Sequence, residues 1–204
     1  MREKIKLEGV ETLMKFDRMN VYTYHFHVNN KPLDYNIVSR RRMNKKNSAE
    51  KHIDATVIFP YFKKGRSTYV VFIKQFRFPI NDYIYDLPAG RVEPGEEVLD
   101  CAKREIKEEI GGRVLSIQPA TSPAFTSPGM TNECIATYFA EVELAGKQSL
   151  EEYEVIDLEI VNIKDINKFV DTHTMGMTGK MLSKMFYYQQ LLKSKGIKAK
   201  WNQH

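Results

Sequence analysis

Three features of the sequence predict an α+β (mixed α/β) fold. Strand-sized apolar runs recur between Ala55 and Val161. One stretch, Glu97–Ile110, changes period and reads as a helix. A second helical pattern, Met181–Leu192, follows near the end.

Residues 4–40 read as short strands with polar turns, an N-terminal antiparallel element. Val21–Val28 is rich in strand formers, and Asn29-Asn30-Lys31-Pro32 reads as a turn. The polar, charged stretch Arg40–Lys51 is the candidate boundary, dividing the chain into 1–45 and 46–204. Ala55–Phe62 and Ser67–Phe78 are strands joined by a hairpin at Lys63-Lys64-Gly65-Arg66. Tyr83–Leu87 is a short strand ending at Pro88-Ala89-Gly90. The helix Glu97–Ile110 stops at Gly111. Val114–Gln118 is a strand, and the Ser-, Pro- and Gly-rich residues after it, through Gly129, read as a loop. Cys134–Leu144 and Val155–Val161 are strands, and Lys164–Val170 is a short helix. The last helix places Met181, Met185, Tyr188 and Leu192 along one face.

Composition narrows the function classes. The 42% hydrophobic and 28% charged residues supply a core and exclude a membrane or disordered composition. No apolar run approaches the roughly 18–20 residues that span a bilayer. The charged start Met1–Lys6 lacks the apolar region of a secretory signal. Cys101 and Cys134 form no CxxC or disulfide framework, so a reducing cytoplasm is expected. The net charge of +5 gathers at Arg40–Lys46 and Lys193–Lys200, which read as solvated charge, and a nucleic-acid partner is not expected.

On the 97–110 helix, Leu99, Ala102, Ile106 and Ile110 form an apolar stripe suited to a sheet. Glu105, Glu108 and Glu109 fall together on the adjoining face. Like charges at this spacing cost roughly 0.2–0.5 kcal/mol per pair. Glu108 and Glu109 also crowd the end where the helix dipole disfavours anions. A solvated acidic face would account for them; so would a hard divalent cation, Mg²⁺ or Mn²⁺, which takes oxygen ligands and joins carboxylates to phosphates.

The full spacing is Gly90, five residues, Glu96, seven residues, then Arg104-Glu105-Ile106-Lys107-Glu108-Glu109-Ile110-Gly111. It resembles the Nudix hydrolase box over the 23 residues from Gly90 to Gly112. The departure is Gly112, where the family usually has an aliphatic residue; it bears on packing at the helix exit. The resemblance implies an α/β/α sandwich with a mixed sheet. It implies metal ligation by Glu105, Glu108, Glu109 and the Ala89 carbonyl. Arg104 would orient the carboxylates, with Gly90, Glu96 and Gly111 as structural members of the motif.

The flanks resemble the ADP-ribose pyrophosphatase branch. Pro128 lies sixteen residues beyond Gly112 within Ser127-Pro128-Gly129-Met130-Thr131-Asn132-Glu133. Upstream stand Gln75-Phe76-Arg77-Phe78 and Asp86-Leu87-Pro88-Ala89-Gly90, with Asp86 where Glu is usual. The reaction implied is Mg²⁺-dependent cleavage of ADP-ribose to AMP and ribose 5-phosphate by a homodimer. Arg77 would pair with the pyrophosphate. An arginine from 40–42, taken here as Arg41, would also meet substrate, with Pro128, Gly129 and Met130 beside it. Tyr22 or Tyr24 could stack on adenine, or serve only as strand core. In the acidic loop 149–154, the resemblance suggests Glu152 as base and Glu154 as a further ligand; a solvated turn is the other reading. The alternatives are another nucleotide sugar such as GDP-mannose, or a non-catalytic nucleotide sensor on the same fold.

Overall fold

A computed structural model describes residues 4–197, so Lys198–Lys200 of the basic tail lie outside the described residues. The chain divides into two compact units. The first is Met1–Asp54 with Pro123–Ile135, and the second is Ala55–Ser122 with Ala136–His204.

The first unit holds a three-stranded antiparallel sheet, β1 (Ile5–Lys15), β2 (Asn20–Val28) and β3 (Lys31–Ser39), in that order. Val28 pairs with Lys31, so Asn29 and Asn30 alone make the turn, and both take positive φ (51° and 61°). Asn tolerates this left-handed region, and such a turn matches the twist of paired strands. Tyr22, Tyr24 and Met43 are buried, with Leu7, Val10, Phe26 and Ile37 packed around them.

The second sheet is built from β4 (Ala55–Lys64), β5 (Ser67–Arg77), β6 (Asp82–Asp86), β7 (Ala89–Arg91), β8 (Gly112–Phe125), β9 (Cys134–Leu144) and β10 (Ile156–Asn162), all in the second unit except the end of β8 from Pro123 and the start of β9 up to Ile135. The sheet order is β10-β5-β4-β9-β8, with β6 on β5 and β7 on β4. Helix α1 (Val98–Ile110) covers one face; α2 (Ile166–Thr172) and α3 (Met177–Ser194) cover the other. Strand alternation sorts the side chains. Phe59, Val70, Phe72 and Phe139 pack with Leu182 and Phe186, while Ile58, Val71, Ile73 and Ala140 pack with Ala102, Ile106 and Ile110. A strand buried on both faces has no polar alternation, which is why β4 and β5 read as continuous apolar runs.

Three expectations need correction. The stretch after Gln118 is not loop at first, because β8 continues to Phe125. It lies at the sheet edge, where proline is tolerated, so Pro119 and Pro123 do not end it. Leu99 is 39% exposed; the packed length of α1 begins at Cys101 and Ala102. In α3, Met181 and Tyr188 face outward, and the buried residues are Gly179, Leu182, Ser183 and Phe186. Large apolar side chains also lie on its exposed side, so periodicity alone does not select its face. The small Gly179 and Ser183 mark the face that approaches other atoms closely, with Ser183 Oγ donating to the Gly179 carbonyl at 2.7 Å.

Helix α1 ends on Gly111, whose φ is 62° and whose N–H donates to the Ile106 and Lys107 carbonyls. A Cβ on Gly111 would overlap the Gly146 carbonyl. At Gly112 a Cβ would lie 2.9 Å from Ile106 Cγ2, so Ile106 already fills the place of the expected aliphatic side chain. Gly111→Ala should therefore lower stability by about 1–3 kcal/mol, read as a lower urea midpoint with unchanged slope.

Candidate active site

The site is assembled where β7 meets α1. β7 pairs with β4, placing Gly90 opposite Thr56. A side chain on Gly90 would collide with the Glu105 carboxylate. Glycine thus lets the strand lie against that carboxylate. Glu109 reaches the same strand, and its Oε2 accepts the Ala89 N–H at 3.0 Å. Glu105 and Glu109 are only 8% and 4% exposed.

Arg104 binds the acidic groups on its side of the helix. Nη1 donates to Glu105 Oε1 at 2.6 Å and to Glu108 Oε2 at 3.0 Å. Nε and Nη2 donate to the two oxygens of Glu96 at 2.9 and 3.1 Å, and Nη2 also donates to the Arg91 carbonyl. This fork holds the Glu96 carboxyl down at about 2, helped by the Glu93 N–H. Glu96 and Arg104 therefore fasten the 91–97 loop to the helix.

Burial sets the state of the other carboxyls. It pushes the Glu109 pKa up to about 8, and the neighbouring negative charges of Glu105 and Glu154 add to the rise; the Ala89 N–H and Arg77 oppose it. Glu105 is also raised, first by burial, with Arg104 opposing.

The acidic loop reaches this region because it caps α1. Ser149 N–H donates to the Glu108 carbonyl at 2.8 Å and Gly146 N–H to the Gly111 carbonyl at 2.9 Å. Gln148 Nε2 bridges the Glu109 and Ile156 carbonyls at 2.7 and 3.1 Å. Helix-end carbonyls need such partners. Glu154 Oε2 accepts the Glu151 N–H within the turn, and its charge acts on Glu105 and Glu109. Glu152 is exposed in the same turn; among the described residues no hydrogen bond or ion pair joins it to α1.

The donor set suits a hard divalent ion: buried carboxylates whose proton affinity is raised first by burial, beside a carbonyl-bearing strand without side-chain bulk at Gly90. Among the described residues, however, no three His, Cys, Asp or Glu side chains already close on one point at ligand spacing. Glu105 and Glu108 are instead turned onto Arg104.

Arg77 ends β5, and its charge acts on Glu109. The first unit holds the remaining expected substrate residues. Arg41 Nε lies 3.2 Å from Asp54 Oδ1 as an ion pair without hydrogen-bond alignment, while Arg40 pairs with Glu133. Pro128 lines a cavity of about 400 Å³ with Tyr24, Phe26, Tyr35, Ile37 and Phe125. Flat aromatic walls of this kind stack on planar rings. Gly129 offers its carbonyl to Tyr35 Oη at 2.7 Å, and Met130 lines a smaller cavity with Val38 and Arg40. Tyr22 is committed to structure, donating to the Arg41 carbonyl and accepting the Met43 N–H.

Three residues gained no role from the sequence. Asp54 anchors Arg41. Cys101 donates its thiol to the Arg91 carbonyl at 3.2 Å, and burial pushes that thiol up to about 11, so it stays protonated. Asp86 pairs with Arg77. Only Asp86 carried a mark, its departure from the usual Glu.

The fold and the carboxylate helix define a domain of the NUDIX class. The NUDIX domain model matches residues 51–177, more than half the chain, and the chain belongs to that family. An ADP-ribose pyrophosphatase of Bacillus subtilis (strain 168) is 32% identical over 124 residues, 60% of this chain and 65% of that one. An ADP-ribose pyrophosphatase of Saccharomyces cerevisiae is 33% identical over 118 residues, 54% of this chain and 48% of that one. The chain thus spans about half to two thirds of the length of these relatives. A crystal structure of an ADP compounds hydrolase superposes with a TM-score of 0.72 over 95% of this chain and 96% of that one; at 16% identity this likeness is one of fold.

The raised Glu109 pKa has a sign that can be tested in metal-free protein. The folded chain holds this proton up to about pH 8, whereas an unperturbed carboxyl releases it near 4.5. Between those values the folded state binds more protons, so Glu109 makes stability fall as pH rises through the window and level off above it. Glu109→Gln should therefore gain on the parent as pH rises from 4.5 to 8, in urea titrations with EDTA. Parallel pH profiles for the two proteins would contradict the burial argument.

Proposed function

We propose that this protein is a Mg²⁺-dependent pyrophosphohydrolase, Mn²⁺ serving as a substitute, that cleaves ADP-ribose to AMP and ribose 5-phosphate. The observation that carries this reading is the burial of Glu105 and Glu109 side by side against β7. Their relatives' names support the substrate.

In this reading Glu105, Glu108, Glu109, Glu154 and the Ala89 carbonyl hold the metal. When bound, it supplies neutralisation of the diphosphate and activation of water. Arg104 keeps the helix carboxylates oriented by the contacts described. Arg77 offers guanidinium N–H groups to a non-bridging phosphate oxygen. Glu152 takes the proton of the water that attacks phosphorus, and the P–O bond opposite breaks to release the two monophosphates. Residues 1–45 serve dimerisation and substrate contacts. The exposed Leu13, Met14, Phe16 and Met19 of the N-terminal unit support a homodimer.

A panel of ADP-ribose, GDP-mannose, NADH and diadenosine polyphosphates, assayed with Mg²⁺ or Mn²⁺ and with products identified, tests the substrate. ADP-ribose should give the highest kcat/KM, with AMP released. Glu152→Gln should lower kcat by about 100-fold while sparing KM. Glu108→Gln should lower it further, and excess Mg²⁺ should not restore it. Near-normal turnover in either variant removes that residue from its assigned role.

A further inference from the structure

We propose that Asp86 is a positioning residue, which fixes the Arg77 guanidinium for an incoming diphosphate by wedging its carboxylate between Arg77 and the first turn of α3. This rests on the reading of Arg77 as a phosphate-binding residue.

Asp86 closes β6 and Arg77 closes β5, and the two strands are antiparallel neighbours. Arg77 Nη2 meets Asp86 Oδ2 at 3.2 Å, while Oδ1 accepts the Leu87 N–H at 3.0 Å. The carboxylate is therefore held at both oxygens, and its side chain is only 15% exposed. Its third boundary is α3. A Cβ on Gly176, the residue that caps this helix, would lie 2.9 Å from Oδ2; one on Gly179 would lie 3.1 Å from Oδ1. Two glycines thus leave the room that the carboxylate fills, at the helix end whose dipole favours negative charge.

Arg77 stands differently. Its side chain is 42% exposed, and among the described residues Asp86 is its one ion-pair partner. One nitrogen is tied down, and among the described residues the planar fork makes no other side-chain hydrogen bond. A guanidinium held at one corner loses less freedom on binding an anion than a free one. Asp86 thereby restrains Arg77 at the cost of a single donor. The length of the carboxylate arm matters. One more methylene would push the oxygens about 1.5 Å toward the glycine pair, so Glu is not a conservative replacement here.

The test is a double-mutant cycle on the full chain with Asp86→Asn and Arg77→Ala, read by steady-state kinetics on ADP-ribose with Mg²⁺ and by calorimetric binding of α,β-methylene-ADP. Asp86→Asn should raise KM and weaken analogue binding at least tenfold, with kcat within about twofold. In the Arg77→Ala background the same change should have no further effect. Equal KM and binding for parent and Asp86→Asn overturn the proposal, as do equal losses in both backgrounds, which mark a structural role. Should Asp86→Asn fail to fold, Gly176→Ala moves the carboxylate with every charge kept. It should raise KM in the same way, and an unchanged KM overturns the proposal. A parent that binds the analogue but leaves ADP-ribose intact sinks the substrate reading alone. A parent that turns over ADP-ribose while Asp86→Asn is unaffected sinks the present inference alone.

Discussion

Two carboxylates lie under the sheet-facing side of a helix, and much of the surrounding structure answers to that constraint. Removing an ionised carboxylate from water costs several kcal/mol even after relaxation. Glu105 and Glu109 meet this cost differently. Glu105 takes a charge-assisted hydrogen bond from Arg104. Glu109 has the Ala89 N–H and the field of Arg77, which do not offset its burial, so its proton affinity rises. A chain selected for stability alone would place apolar residues at both positions.

The neighbouring elements serve the same constraint. β7 can run beside Glu105 because Gly90 lacks a side chain. The Glu96–Arg104 fork keeps the preceding loop from moving off the helix. The loop from Gly146 to Ser149 satisfies the last carbonyls of α1, and in doing so brings Glu154 into the field of the buried pair. Below them, Ala102, Ile106 and Ile110 pack on Ile58, Val71 and Ala140, giving the carboxylates a rigid base.

How much of this was legible in the sequence follows from the range of each interaction. The Gly90–Gly112 segment could be read because a strand end, a loop and the 13 residues of α1 contribute their groups within one contiguous stretch. The Asn29-Asn30 turn was legible for the same reason: its backbone demand is met by its own residues. The face of α3 was not, since Met181 and Tyr188 lie outside its buried side and Gly179, which is on it, lies close to Asp86, more than ninety positions away. Nor did the residues of 146–149 announce that they cap α1, because two of the bonds use backbone N–H groups that any residue but proline carries. The extent of β8 was hidden by its prolines, which are breakers in a central strand and permitted at an edge.

Charge order connects the two faces of the sheet. From α1 outward come Glu109, then Arg77, then Asp86, then the positive end of α3, so each group is followed by one of opposite sign. In such a series each member is partly neutralised by the next, and the surplus collects where the series is interrupted. It is interrupted at Glu109, on which the negative charges of Glu105 and Glu154 also act. Arg77 has the opposite imbalance, a cation with one of its nitrogens paired and much of its side chain in solvent. An acidic cluster beside a partly free cation is complementary to a ligand that presents positive charge on one side and anionic oxygens on the other, as a divalent ion joined to a diphosphate does. Helix α3 contributes no carboxylate to the cluster; it closes the series through Gly176 and Gly179, which leave room for the Asp86 carboxylate.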